Sequence, residues 1–279
     1  MKFIIYQLIF FSVLLSNQLV VADPVVEENQ WRKEFPVNTD MPLLKIYNIW
    51  GDIRVRSANQ SFIEVSVSER LYASNQSDFD QLKTLIPFIE SAEENSVSFQ
   101  IGEGDHWQHH RFRNCRRCRI DYNFDVVVPP RTVIDVSTVN DGKIEIVDVT
   151  GAISANNING PISIEGLQQC DKVKSINDNI KLAFAGSPQS DCYIKTINGN
   201  ISAILPPDSH FNAELTFRNG QVYSQFELIP QPSAAIIDHR QDNSRHIYRV
   251  EQSSVVQIGQ GGSTLSFDTL NGDIRINKE

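Results

Sequence analysis

Beyond residue 22 the sequence has no apolar run long enough to cross a bilayer. No cysteine follows the first apolar run, which argues against a lipid anchor attached there. Positive charge is scarce: 25 Lys and Arg stand against 34 Asp and Glu, a net charge of −9 at pH 7, which excludes general nucleic-acid binding. Helical periodicity is confined to residues 77–90, where one helical turn is expected before Pro87. There is no Gly-x-Ser-x-Gly elbow of the hydrolase kind. The glycine-rich run from Gly259 to Gly262 precedes a strand pattern rather than a helix, so it makes no phosphate cradle.

The 279 residues suffice for a sizeable core, and 41% hydrophobic with 21% charged residues excludes a disordered chain. Met1-Lys2-Phe3 opens a charged-then-apolar run that ends near Leu15, and Val20-Val21-Ala22 sets modest or small residues before Asp23. This predicts a secretory signal peptide over residues 1–22, since the run is short for a membrane span and is interrupted by Gln7. Its removal takes away Lys2 and brings the charge from −9 to −10. Residues 23–40 read as a lead-in that caps one end of the fold, and residues 41–279 as one β-strand-repeat domain.

Within that domain one phrase returns: an aliphatic residue, usually Asn, a Gly or Asp, then apolar residues at every second position. It reads Ile158-Asn159-Gly160-Pro161-Ile162, then Ile176-Asn177-Asp178-Asn179-Ile180, then Ile197-Asn198-Gly199-Asn200-Ile201. Ile49-Trp50-Gly51-Asp52-Ile53 and Leu270-Asn271-Gly272-Asp273-Ile274 repeat it near the two ends. Two strand-and-turn units of about nine residues make one coil of about twenty, the scale of a β-solenoid repeat. The expected fold is therefore all-β, a single-domain solenoid of stacked strand-turn repeats with isoleucines in a continuous row. Asn-Gly between alternating strands is also a hairpin signature, so an antiparallel meander carries the same phrase. Preservation of residue type and register from unit to unit favours the stack. Residues 231–249 lack clear patterning and read as an insertion.

The order of these phrases resembles the bacterial toast-rack family, whose members are also called putative adhesins. The likeness rests on Tyr122-Asn123-Phe124-Asp125-Val126-Val127-Val128-Pro129, on Ile134-Asp135-Val136-Ser137-Thr138-Val139-Asn140, and on the closing Thr269-Leu270-Asn271-Gly272-Asp273-Ile274-Arg275-Ile276. It extends from about residue 41 to the end. The resemblance implies a repetitive β-stack outside the cytoplasm, in envelope-stress or surface contexts, and carries over no catalytic residues. The chain departs from the family in a His/Arg/Cys loop and in the insertion after Pro230.

Cysteines in an exported protein are read first as disulfides. Cys170 and Cys192 lie seven and six residues before Asn177 and Asn198, nearly equivalent places in successive repeats. Stacked strands about 4.8 Å apart allow them to pair. The loop holds Cys115 and Cys118 with His106, His109 and His110 nearby. A local disulfide is the first reading, a zinc site on these residues the second, and a redox centre the third. Arg111, Arg113, Arg116, Arg117 and Arg119, with Trp107 and Phe112, form a basic patch suited to an anionic surface polymer, phospholipid head groups or an acidic envelope protein. The alternative is a solvated loop with internal salt bridges.

No catalytic residue and no cofactor is expected. The leading functional reading is a non-enzymatic, exported binding or scaffold protein of the periplasm or cell surface, adhesin-like in character. The second is an accessory to envelope-stress sensing that binds a membrane regulator. A carbohydrate-active enzyme is the third, because Glu145, Asp148 and Asp178 read as scattered turn and outward positions.

Overall fold

The computed structural model describes residues 24–102, 118–231, 236–242, 245–250 and 253–279. Strict alternation of apolar and polar residues makes strands of nearly every patterned stretch. The first are β1 (Val25–Pro36), β2 (Leu43–Tyr47), β3 (Ile53–Ser57) and β4 (Phe62–Ala73). Helix α1 (Gln76–Leu85) follows, then β5 (Phe88–Glu93), β6 (Ser96–Ile101) and β7 (Arg119–Val128). The repeats supply β8 (Val133–Asn140), β9 (Ile144–Val147), β10 (Ile153–Asn159), β11 (Ile162–Leu167), β12 (Cys170–Ser175) and β13 (Ile180–Phe184). They continue as β14 (Cys192–Asn198), β15 (Ile201–Leu205), β16 (Phe211–Asn219) and β17 (Val222–Ser224). The last are β18 (Ile229–Pro230), β19 (Ile236–Asp242), β20 (Arg245–Val250), β21 (Ser253–Ile258), β22 (Thr264–Asn271) and β23 (Ile274–Lys278).

These strands form two large, mostly parallel sheets, one of 12 strands and one of 11. The chain alternates between them, so β10 belongs to the smaller sheet and β11 to the larger. Neighbouring repeats then pair in parallel, β10 with β8 and β12, β11 with β9 and β13. The Asn-Gly phrase is thus a corner between sheets and not a hairpin turn, which removes the meander. Ile53, Ile144, Ile162, Ile180, Ile201 and Ile274 stack strand upon strand between the sheets, each at most 1% exposed. Burial on this scale stabilises by roughly 1.5–3 kcal/mol per side chain.

The corners explain why the phrase persists. A Cβ at Gly142, Gly160, Gly199 or Gly272 would fall well inside contact with the backbone carbonyl of the adjacent corner. Asp178 is the exception, and there β12 stops at Ser175 and meets the β14 chain again at the isolated bridge Asn177–Asn198. Beside the glycines the asparagines form a ladder. Asn159 Nδ2 donates to Asn140 Oδ1 (3.2 Å), Asn177 to Asn159, Asn198 to Asn177, Asn271 to Asn198 and Asn219 to Asn271 (each 2.8 Å). Two residues before every ladder position except Asn219, where Phe217 stands, a buried polar group caps an inward carbonyl. Thr138 donates to Gly51 O (3.2 Å), Asn157 to Gly142 O (2.7 Å), Thr196 to Asp178 O (2.9 Å) and Thr269 to Gly199 O (3.1 Å).

One detail, the length of the helix, differs from the sequence-based expectation, and three go beyond it. The closing strands β22 and β23 do not end the stack but sit between β14/β15 and β16/β17, so Asn271 separates Asn198 from Asn219. The stretch read as an insertion supplies β19 and β20, which pair as a hairpin, and β20 extends the larger sheet beside β17. The helix has 10 residues rather than one turn, because Asn75 Oδ1 accepts Asp78 N (2.9 Å) at its start and Phe79, Leu82 and Ile86 share a buried face. Within residues 23–40, β1 forms the outermost strand of the larger sheet, antiparallel to β4.

Cys170 and Cys192 are joined, linking β12 to β14 with a Cα–Cα distance of 5.1 Å and a sequence separation of 22. A loop of this length gains on the order of 3 kcal/mol from the crosslink.

Gly199→Ala should lower stability by roughly 2–4 kcal/mol, since the methyl meets backbone that cannot yield. Gly186→Ala, with nothing within 4 Å of the added atom, should change it little. Equal urea midpoints for the two variants would contradict the close-packed corner. Asn157 Oδ1 is buried and has no partner among the described residues, whereas threonine does the same capping elsewhere. Asn157→Thr should therefore raise the unfolding midpoint, by about 0.5–1 kcal/mol in free energy.

Candidate functional site

Of the residues singled out in the His/Arg/Cys loop, His106, Trp107, His109, His110, Arg111, Phe112, Arg113, Cys115, Arg116 and Arg117 lie outside the described residues. Cys118 and Arg119 are described. Cys118 is disulfide-bonded and packs, partly buried, against the core. The Arg119 guanidinium is occupied inside the protein, with Nε at 2.7 and 2.9 Å from the two Asp121 carboxylate oxygens and Nη1 at 3.4 Å from Asp141.

The outer face of the larger sheet brings together groups far apart in sequence. Strand alternation turns the residue three places after each corner glycine outward, and parallel register lines these residues up. Arg54, Glu145 and Ser163 stand side by side on β3, β9 and β11, with Asp125 of β7 on the near side of Arg54. Ser66 of β4 and Arg32 of β1 extend the row toward the sheet edge. The serines are small, so the face is recessed there. One recess of about 360 Å³ is lined by Arg54, Arg56, Asp125, Glu145, Val147 and Glu165, with Ser163 at its side. A second, of about 510 Å³, lies over Gln30, Arg32, Ser66, Ser68 and Asn123 and shares Arg54 and Asp125 with the first.

The electrostatics are partly settled within the protein. Arg54 Nη2 lies 2.5 Å from Asp52 Oδ2, and its Nε 3.1 Å from Glu145 Oε2, while Lys143 Nζ lies 2.8 Å from Glu145 Oε1. The Lys143 hydrogen bond, helped by Arg54 and opposed by burial, holds the Glu145 carboxyl below its usual value. Arg32 is paired with Glu64 at the rim. Among the described residues, Asp125 and Arg56 have no ion-pair partner of their own. Arg56 instead stands between Val127 and Val147 on the flanking strands.

This arrangement offers a fixed guanidinium–carboxylate network flanked by one free carboxylate and one free guanidinium. Planar groups of this kind hold vicinal hydroxyls, and an unpaired arginine takes a carboxylate, sulfate or phosphate. Among the described residues no group of three or more His, Cys, Asp or Glu side chains could hold a metal ion. Polar side chains on the smaller sheet's outer face are largely committed to one another. Tyr47 donates to Asp135 (2.7 Å), Asp268 accepts from Tyr193 (2.8 Å) and Lys195 (2.7 Å), and Ser154 donates to Asp171 (2.9 Å).

The sequence reading treated Glu145 as a dispersed outward charge and did not single out Arg54, Arg56 or Asp125. The recurring third position after the corner glycine was the available signal: Arg54, Glu145, Ser163, Ser202 and Arg275 all occupy it.

No family model matches the chain, and no curated protein matches it. Among solved structures it is similar to a putative cell adhesion protein of Clostridium sporogenes, at 12% identity and a TM-score of 0.43, over 91% of this chain and 100% of that one. A putative adhesin of Bacteroides fragilis shows 12% identity and a TM-score of 0.36, over 90% and 97% of the two chains. Likeness at this level carries no argument about function.

The lowered Glu145 pKa gives a signed expectation. Its ion pairs contribute stability above the ordinary carboxylate pKa, and that contribution is lost as pH falls through the lower folded value. The side chain is 37% exposed, so solvent screening keeps the effect below about 1 kcal/mol. Glu145→Gln should therefore be slightly less stable than the parent at neutral pH and equal to it in strong acid. A difference that persists in acid would show that the ion pairs are not its source.

Proposed function

We propose that this chain is an exported, non-enzymatic binding module of the bacterial cell envelope, adhesin-like, that holds a hydroxyl-rich anionic surface polymer across the larger sheet. The observation that carries the reading is the recessed row on β1, β4, β7, β3, β9 and β11, with Arg54 and Asp125 common to both recesses. Its strands repeat about every 4.8 Å, a spacing commensurate with an extended polymer lying across them. Asp125 and the serines meet hydroxyls, the paired Arg54 keeps a rigid donor fork, and Arg56 supplies the charge that an acidic unit needs. The loop arginines, Arg111 to Arg117, are a second candidate contact for the same acidic units.

Export rests on the charged-then-apolar N-terminus together with the Cys170–Cys192 bridge and the disulfide at Cys118, since such bonds persist in oxidising compartments. Among the described residues no helix is long and apolar enough to cross a membrane. The stack is read as a β-solenoid because strand pairs from seven stretches of chain, from β2/β3 to β16/β17, follow one another in register. A carbohydrate-cleaving site fits the face less well. A proton donor needs a raised carboxyl pKa, and Glu145 is driven the other way by Lys143 and Arg54.

Ser66→Trp should fill the larger recess without touching the core, and Arg56→Ala should remove the free cation. Each should weaken retention on immobilised acidic polysaccharide by about tenfold or more, read as a shift in Kd of at least 1.4 kcal/mol. Retention unchanged in both variants but abolished when the loop arginines become serine would move the site to the loop. No retention by any acidic polymer would sink the proposal.

A further inference from the structure

The asparagine ladder contains four Asn-Gly pairs: Asn159-Gly160, Asn198-Gly199, Asn271-Gly272 and Asn219-Gly220. Such a pair carries its own chemistry, because the glycine amide nitrogen can attack the preceding side-chain amide. Attack needs a glycine N–H that is not committed to an acceptor and an asparagine Cγ that can swing over it. The first three pairs lack one or both freedoms. Gly199 N donates to Asn271 O (3.0 Å) and Gly272 N to Asn219 O (2.9 Å). Gly160 is buried. The side chains of Asn159, Asn198 and Asn271 each donate to one neighbour and accept from another, so every amide is clamped at both ends.

Asn219 is the last rung. Among the described residues β21 covers β16 as far as Thr216, and beyond it the described neighbour of β16 is β22. Asn219 Nδ2 donates to Asn271 Oδ1 (2.8 Å). Among the described residues nothing donates to Asn219 Oδ1, and the Gly220 N–H has no acceptor. Both residues are exposed.

We propose that Asn219-Gly220 is a site of spontaneous deamidation in the folded protein, with water as the co-reactant. The Gly220 nitrogen gives up its proton to solvent and bonds to Asn219 Cγ. The Cγ–Nδ2 bond breaks and Nδ2 leaves as ammonia, closing a succinimide. Water then opens the ring at either carbonyl to give aspartate or isoaspartate, with no change of oxidation state. Both products lose the Nδ2 donor; aspartate sets a carboxylate against Asn271 Oδ1, whereas in isoaspartate the carbonyl that accepted Gly272 N becomes the free carboxylate. Isoaspartate also reroutes the main chain through Cβ and Cγ, lengthening it by one carbon at this corner. The modification therefore removes or strains two of the bonds by which this corner holds the C-terminal strand pair.

The test incubates the purified full chain in mildly alkaline buffer at physiological temperature and follows each Asn-Gly peptide by mass spectrometry after acidic proteolysis. Enzymatic methylation identifies isoaspartate. The same chain in denaturant is the control. In the folded protein Asn219 should convert roughly tenfold faster or more than Asn159, Asn198 and Asn271, because interior rungs must first open locally. In denaturant the four should convert at similar rates. Interior pairs that keep pace with Asn219 in the folded protein would overturn the proposal. So would an intact Asn219, or the same preference for Asn219 in denaturant.

Discussion

Successive repeats of this protein turn a corner between the two sheets within strand-pairing distance of the next repeat's corner. At about 4.8 Å the backbone of one turn lies against the carbonyl of its neighbour, and a side chain on the wrong residue has nowhere to go. Glycine meets that constraint at most corners. The asparagine beside it then has to satisfy an amide at a place where the sheet hydrogen bonds give way, and it does so by bonding to the asparagines above and below. The inward carbonyls at the same corners are capped by threonine, serine or asparagine from inside the stack. Isoleucine rows, sheet register and the disulfide all presuppose that this close approach is kept. Where Asp178 replaces glycine, the adjoining strand shortens, which measures locally how far the rule extends.

The same register builds the outer face. A residue at one place in each coil becomes one element of a row that crosses the strands at right angles, and its chemistry is free to vary because the corner bears the folding burden. On the larger sheet this freedom yields arginine, glutamate and serine in adjacent positions, with a serine-floored recess toward β1. On the smaller sheet it yields tyrosine–aspartate and lysine–aspartate contacts that satisfy each other. One scaffold thus presents two faces of different availability.

Much of the architecture was legible because strand alternation and corner chemistry are local. The phrase around Asn159, Asn177 and Asn198 marks corners correctly, and the equivalent positions of Cys170 and Cys192 suffice to pair them. The place of Asn271 was not legible, since each corner offers its neighbour the same donors and acceptors and nothing in the phrase records which coil is adjacent. The strands of residues 236–250 lack the repeated phrase because they extend the sheet as a hairpin instead of turning its corners. The row of Arg54 and Glu145 joins residues 91 apart in sequence, so it exists only once the parallel register is known. The length of α1 depended on the cap at Asn75, a signal that strand periodicity does not carry.

The insertion of β22 and β23 between two earlier coils sets an order on assembly. Coils up to β14/β15 can be added one upon another as the chain emerges, each edge templated by the one before. The pair β16/β17 cannot reach its permanent place in this way, because the strands that separate it from β14/β15 are among the last to be delivered. Contacts of this range, 52 residues from Asn219 to Asn271 and 73 from Asn198 to Asn271, are slow to form. Until the last residues arrive, two parallel edges stand unpaired, a condition that invites wrong partners. A chain crossing a membrane from its N-terminus would therefore carry an incomplete stack until its release.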